Sequence, residues 1–321
     1  MPEWLLITIY VLCGILATIF ITLPIFIGFI LLILKLFTRK KEGRRLRTLP
    51  AMSRAMPYIM KHRSDALNYI SDSIDISAAE EYIKKKRAEG NKSFGIMHLL
   101  LAAYVRVVSE KPGVNRYVRG QEIWARNDIQ IMLTIKKEMA LDSPDTVIKI
   151  FPKPTDTPLD IYRQIDKLIV DNKKADNNGF DKTAGILSAL PGFLFRYVVW
   201  LLFTYDYLNL LPYGLTTYIS PFHGSLFVTS MGSLGIPPIY HHIYNFGTVP
   251  VFLSFGTKYK KMHIDNNGNI KERRMIDVKF VTDERVCDGF YYASVFKTMK
   301  KYLKNPEKLD TPPEVVAEDV K

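Results

Sequence analysis

The sequence predicts an α/β (α+β) domain, a mixed sheet flanked by helices, carried on an N-terminal transmembrane helix. Three observations predict it. Trp4 to Phe37 is apolar almost throughout. Helical and strand periodicities alternate along the middle of the chain. Near the end, Thr248-Val-Pro-Val-Phe-Leu-Ser-Phe-Gly256 is an unbroken apolar run, short enough to be a strand buried on both faces.

The apolar N-terminal run far exceeds the roughly 20 residues needed to cross a bilayer, so it reads as an anchor. A cleaved signal peptide fits poorly, because no basic segment precedes the run and the run is too long. Pro24 is expected to kink one long helix. The basic cluster Thr38-Arg-Lys-Lys-Glu-Gly-Arg-Arg-Leu-Arg47 follows at once, and such clusters stay on the cytoplasmic side. The expectation is a single-pass protein of the cell membrane with its body in the cytoplasm.

Ala78 to Arg87 and Ser93 to Ser109 have helical spacing, and Lys111-Pro-Gly113 stops the second helix. Tyr117 to Trp124, Ile129 to Ile135 and Thr146 to Phe151 read as strands. Thr157-Pro-Leu-Asp160 starts a helix that runs to Val170. In Ala184 to Phe222 the apolar stretch Pro191 to Phe203 allows three readings: a second span, a core helix pair, or an interfacial segment with Tyr197, Trp200, Tyr205 and Tyr207 near the headgroups. The interfacial reading is the one taken here.

Ser225-Leu-Phe-Val-Thr-Ser-Met-Gly-Ser-Leu-Gly235 is a strand that enters a tight loop of hydroxyl residues and glycines. After the central strand, Asp265-Asn-Asn-Gly-Asn269 supplies hairpin-turn chemistry. The returning arm alternates through Ile276, Val278 and Phe280 and ends in Thr282-Asp-Glu-Arg-Val-Cys-Asp-Gly289. A helix from Phe290 to Leu303 closes at Asn305-Pro306.

These residues resemble the catalytic domain of the dihydrolipoyl acyltransferases of 2-oxo acid dehydrogenase complexes, and its relative chloramphenicol acetyltransferase. That family carries His-x-x-x-Asp-Gly between a strand and a helix, where this chain has Glu284-Arg-Val-Cys-Asp-Gly289. Its hydroxyl-bearing Thr-Ser-x-Gly-x-x-Gly loop is similar to Thr229-Ser-Met-Gly-Ser-Leu-Gly235. Its opening helix and Asp-rich strand resemble Leu49-Pro-Ala-Met-Ser-Arg54 and Asp72 to Ser77. The resemblance covers Arg47 to Leu309. It implies a chloramphenicol acetyltransferase-like fold, and with the hydropathy and charge pattern it divides the chain into an anchor (1–37), a basic linker (38–48), a catalytic domain (49–310, with the apolar insertion 184–222, which the family lacks) and a flexible tail (311–321).

The resemblance implies a membrane-anchored acyltransferase that moves an acyl group from a thioester, coenzyme A being the co-substrate, to a thiol or hydroxyl. It implies a homotrimer with sites between subunits and no permanently bound cofactor. The chain shows no lipoyl domain. The alternative is an inactive member of the fold, serving as a trimeric binding platform at the membrane.

The family's histidine, which takes the proton from the attacking group, aligns with Glu284. A carboxylate with a pKa of about 4.3 is a poor base unless burial raises it by roughly two units. Either Glu284 is a desolvated base, or another histidine such as His241 or His242 serves, or the chemistry is lost. Thr229, with Ser230 as substitute, takes the family's oxyanion-stabilising position. Asp288, beside Gly289, takes the place of an anchor paired with an arginine, with Arg54 the chosen partner and Arg285 the alternative. Cys287 reads as a packed thiol.

The net charge of +12 could suggest nucleic acid. The juxtamembrane cluster and the lysine faces of two helices account for much of it, and no basic stripe interleaves with exposed aromatics, so nucleic-acid binding is not expected. The cysteines Cys13 and Cys287 fit no metal spacing or disulfide framework, and His241-His242 lack a carboxylate at ligand spacing, so no metal site is expected.

Overall fold

The computed structural model describes residues 2–136, 145–174, 185, 188–264 and 268–321. Helix α1 (Glu3–Glu42) leads into strand β1 (Gly43–Arg45) and helix α2 (Ala51–Ile59). Strand β2 (Leu67–Asp75), helices α3 (Ser77–Ala88) and α4 (Ile96–Glu110), strands β3 (Arg116–Arg119), β4 (Glu122–Arg126), β5 (Ile131–Lys136) and β6 (Asp145–Ile150) and helix α5 (Pro158–Lys174) follow. Helix α6 (Gly192–Tyr207), strands β7 (Leu226–Ser230), β8 (Val251–Ile264) and β9 (Ile270–Asp283) and helix α7 (Gly289–Lys304) complete the chain.

The main sheet runs β2-β9-β8-β7-β5-β6, and a small sheet runs β1-β4-β3. β7 pairs parallel with β5 and β8; the other pairs are antiparallel. The run from Val251 to Gly256 is buried on both faces, as the sequence predicts for a central strand. Along β9, Ile276, Val278 and Phe280 alternate inward against α7. α4 is apolar on every side because it is the core helix of the body: Leu99, Leu100, Leu101 and Val105 are fully buried. The turn expected at Asp265 to Asn269 falls mostly outside the described residues, and Gly268 has the positive φ of 80° that such a turn requires.

The C-terminal residues 311–321 are pinned rather than flexible. Asp319 accepts both Arg116 Nε at 2.7 Å and Nη2 at 2.5 Å, Arg44 donates to the Asp319 and Val320 carbonyls, and Ala317 N donates to Ser109 O at 2.7 Å. A bidentate guanidinium on a largely buried carboxylate outweighs the disorder expected of a polar terminus.

α1 contains an apolar stretch of 35 residues, Glu3–Phe37, with mean hydropathy 2.7. At 1.5 Å per residue it is about 52 Å long, against a hydrocarbon core of about 30 Å. Pro24 sits inside this helix. It has no N–H, so it leaves the Phe20 carbonyl without its helical partner. The Tyr197 hydroxyl donates to that carbonyl, and its ring meets Phe20 edge-on at 5.1 Å. Two turns later Tyr205 donates to Pro24 O at 2.8 Å. α6 thus runs beside α1 in the same direction, with Phe193, Trp200 and Phe203 exposed. It is not a core helix pair, because its apolar side chains face outward.

Where α1 meets the body, its last residue is buried among charges. Glu42 Oε2 accepts from Lys35 Nζ at 2.5 Å and Arg119 Nη1 at 2.9 Å, while Thr216 donates to Oε1 at 2.9 Å. Burial alone would raise the Glu42 pKa, but Arg119 and Lys35 outweigh it and hold the carboxyl below its ordinary value. Asp206, at the end of α6, joins the same cluster through Arg119 at 3.6 Å and accepts His223 Nε2 at 3.0 Å and Gly247 N at 2.8 Å. His223 Nδ1 is then free to accept from Ser220 Oγ at 2.7 Å.

Burial pushes the His223 pKa from 6.5 down to about 4, so the unfolded chain takes up a proton in this window that the folded chain refuses. The stabilisation is complete above pH 6.5 and is lost as the pH falls through about 4. The expected loss is on the order of 3 kcal/mol. Guanidinium unfolding of the detergent-solubilised protein between pH 7 and 4 measures it, and His223→Gln should flatten the slope.

Candidate functional site

β7 ends at Thr229 and Ser230 in parallel register with Ser254 and Phe255 of β8. The chain then turns over β8, with Met231 N donating to Phe255 O at 2.9 Å. A Cβ at Gly232 would lie 2.5 Å from the Gly256 carbonyl oxygen, and one at Gly256 would lie 2.5 Å from Pro238. Both positions therefore require glycine. This close approach brings residues Ile236 to Tyr244 back across β8, where Ile239 N donates to Ser254 Oγ at 3.3 Å.

The result is a cleft of about 1090 Å³ lined by Thr229, Ser230, His241, His242 and Tyr244, among others. The His241 ring stacks on Phe252 at 4.4 Å and 15°, and Phe252 stacks on Phe227 at 4.8 Å and 15°. His241 Nε2 is buried with no hydrogen-bond partner among the described residues. Burial, and then the neighbouring His242, push the His241 pKa below its ordinary value, which favours the neutral imidazole. His242 is exposed and meets Tyr244 edge-on at 4.7 Å.

His98 of α4 also lines this cleft. Its Nδ1 accepts Gly95 N at 3.0 Å, and burial pushes its pKa down to about 4. Nδ1 is thereby occupied, and Nε2 carries the hydrogen.

The structure does not bring Glu284 to these groups. Glu284 is half-buried at the end of β9, and its backbone N–H donates to Ala66 O at 2.9 Å. Asp283 lies at the level of Pro250, whereas Thr229 is at the level of Ser254. Four residues of strand put about 13 Å between them along β8. Within one chain the two halves of the family motif are separate.

The corner after β9 is braced differently from the expectation. Asp288 is exposed and caps α7 by accepting Tyr291 N at 2.8 Å, Gly289 is exposed beside it, and Arg54 is exposed on α2. The carboxylate that pairs with arginine is Asp283. Its Oδ1 accepts Arg285 Nε at 2.8 Å, and its Oδ2 accepts Arg285 Nη2 at 2.7 Å and Arg63 Nε at 3.1 Å. Arg63 also donates to the carbonyls of Tyr244 at 2.6 Å and Gly247 at 2.7 Å. Asp283 and Arg63 were missed because the motif draws attention to the acid beside the glycine. The signal was an Asp adjoining Glu284-Arg285 at the end of a buried strand, where an unpaired carboxylate is costly.

Cys287 is a packed thiol, with Sγ donating to Gly113 O at 3.0 Å and its pKa pushed by burial up to about 12. Among the described residues, no group of three His, Cys, Asp or Glu side chains is placed to hold a metal ion.

Residues 222–310 match the family of 2-oxoacid dehydrogenases acyltransferase (catalytic domain). The matched segment holds the hydroxyl loop, the His241-His242 return, the β8–β9 pair and the Asp-Gly corner. The fold is that of the same enzymes. A probable dihydrolipoamide acetyltransferase from Listeria monocytogenes 4b F2365 superposes with TM-score 0.53 at 17% identity, covering 82% of this chain and 95% of that one. The cubic core of the pyruvate dehydrogenase multienzyme complex gives TM-score 0.54 at 15% identity, covering 82% and 93%. A chloramphenicol acetyltransferase gives 0.50 at 12%, covering 82% and 100%. No curated protein matches the chain.

Arg63 ties the end of β9 to the segment that carries the imidazoles. Arg63→Ala should lower stability by about 3 kcal/mol, the usual cost of breaking a buried pair. Hydrogen exchange of the 241–247 backbone should speed up, as mass spectrometry of peptic fragments would show.

Proposed function

We propose that this chain is a membrane-anchored acyltransferase, moving an acyl group from a coenzyme A thioester to a thiol or hydroxyl acceptor, with its body in the cytoplasm and three copies as the working unit. The observation that carries this reading is the shared cleft: two hydroxyls, Thr229 and Ser230, and the unpartnered Nε2 of His241 line one cavity inside the segment that matches the acyltransferase family. α1 supports the anchor, since its apolar stretch is long enough to cross a bilayer and is unburied by the body. The basic residues after it support the orientation.

The acceptor's oxygen or sulfur attacks the thioester carbonyl, forming the new bond to carbon. His241 Nε2 takes the acceptor's proton. The charge that gathers on the carbonyl oxygen is met by the Thr229 hydroxyl, with Ser230 beside it. As the C–S bond breaks, the imidazolium returns the proton to the leaving thiolate. Glu284 stands half-buried just after β9, away from Thr229, and a role for it in such a cleft calls for a contact between copies. The inactive-platform alternative draws its support from that separation, and it expects no turnover.

The test is acyl transfer by the full-length protein in detergent, from acetyl-CoA or a longer acyl-CoA to a panel of thiols and alcohols. Thr229→Val should lower kcat by about 10²-fold or more, as loss of an oxyanion donor does elsewhere. His241→Gln should lower it further, and Glu284→Gln should change it little. A Glu284→Gln variant that is inactive while His241→Gln is active would move the base to the subunit contact. No release of coenzyme A from any donor would sink the acyltransferase reading.

A further inference from the structure

The cleft has two chemically different ends. At one, Arg87 and Lys258 are the lining's cations, the latter paired with Glu80 at 2.6 Å. At the other, His241 sits on Phe252, six residues before Lys258 on β8, or about 20 Å away along the strand. The aromatic end does not stop at the cleft wall. His242 meets Tyr244 at 4.7 Å, Tyr244 meets Phe222 at 4.9 Å, Phe222 meets Phe246 at 5.6 Å, and Phe246 meets Phe203 of α6 at 5.1 Å. A continuous row of rings thus leads from the catalytic imidazoles to the helix seated on α1. Tyr244 on the cleft wall is 49% exposed, and Ile239 and Tyr240, just before the lining His241, are 42% and 40% exposed, so the rim of the cleft on this side is open and carries apolar side chains.

A water-soluble acceptor needs no such rim. Exposed apolar patches of this kind mark a site of contact with an apolar ligand or partner. The rim is continuous with the exposed face of α6, which is held against α1 at Phe20 and Pro24. The occupant therefore comes from the bilayer side.

We propose that the acyl acceptor is a hydroxyl-bearing amphiphile of the membrane, which enters at Tyr244 along the ring row while the anionic donor enters past Arg87 and Lys258. The inference rests on the acyltransferase reading and names its acceptor. The amphiphile's hydroxyl oxygen bonds to the thioester carbonyl carbon, the C–S bond breaks, and the hydroxyl proton passes through His241 to the departing thiolate, giving an ester and a free thiol.

The experiment uses the full-length protein in phosphatidylcholine nanodiscs with a long-chain fatty alcohol carrying a diazirine. Photolysis and peptide mapping should place adducts on Tyr244, Phe246 and the 239–242 segment, as well as on α1. Tyr244→Asp should reduce the adducts at 239–242 by about tenfold and leave those on α1 unchanged. Adducts confined to α1 and α6 would overturn the proposal, and so would a rim shielded by cross-linking between copies. In the same nanodiscs, acyl-CoA should convert the alcohol to its ester. Transfer to a soluble thiol without rim adducts would refute the membrane acceptor alone. Rim adducts with no transfer to any acceptor would refute both this proposal and the acyltransferase reading beneath it.

Discussion

Everything about how the apolar helix meets the body depends on one buried carboxylate, Glu42. A lone charge at that depth would cost several kcal/mol, and the structure meets the cost by converging three elements on it. Lys35 comes from the preceding turns of α1, Arg119 from the small sheet and Thr216 from the segment after α6. Asp206 and His223 extend the cluster to the loop before β8. A partner moved by an ångström would leave a buried ion unmatched, so the direction of α1 relative to the sheet is set by electrostatics more than by apolar packing.

The same logic recurs at the end of β9, on the other side of the loop that Asp206 holds. Asp283 is shared by Arg63 and Arg285, and Arg63 spends its remaining donors on carbonyls of the loop between Tyr244 and Gly247. Two charge clusters therefore clamp one short loop, Asp206 through the Gly247 N–H and Arg63 through its carbonyl. The residues immediately before this loop are His241 and His242. Rigid supports on one side of a site, with hydroxyls at a strand end on the other, are what a preorganised site needs.

The cleft itself exists because of two glycines. Gly232 and Gly256 let the hydroxyl loop and the Pro237-Pro238 segment lie on β8 at backbone contact distance. That approach places His241 flat on Phe252, where desolvation keeps the ring neutral and no neighbour satisfies Nε2. The neutral state of the ring is thus a by-product of stacking, and it does not depend on a charged partner.

Sequence alone determined the elements whose signals are local. The 3.6-residue period of α4, the unbroken apolar run of β8, the alternation along β9 and the length of the apolar N-terminal helix each follow from residues near in the chain, and together they give the fold class. The hydroxyl loop was legible for the same reason, since Thr229 to Gly235 is a strand end and two glycines in seven residues. Tertiary structure alone decided which polar groups meet. Asp283, not Asp288, takes the arginines, because it lies inside the sheet while Asp288 stands at an exposed helix cap. The last eleven residues are ordered by Arg116, which no local pattern announces. Tyr197 finds Phe20 across 177 positions because Pro24 leaves a carbonyl open, and a partnership across that distance leaves no periodic trace in the sequence. Long-range pairing of polar groups is set by burial, and burial is a property of the folded chain.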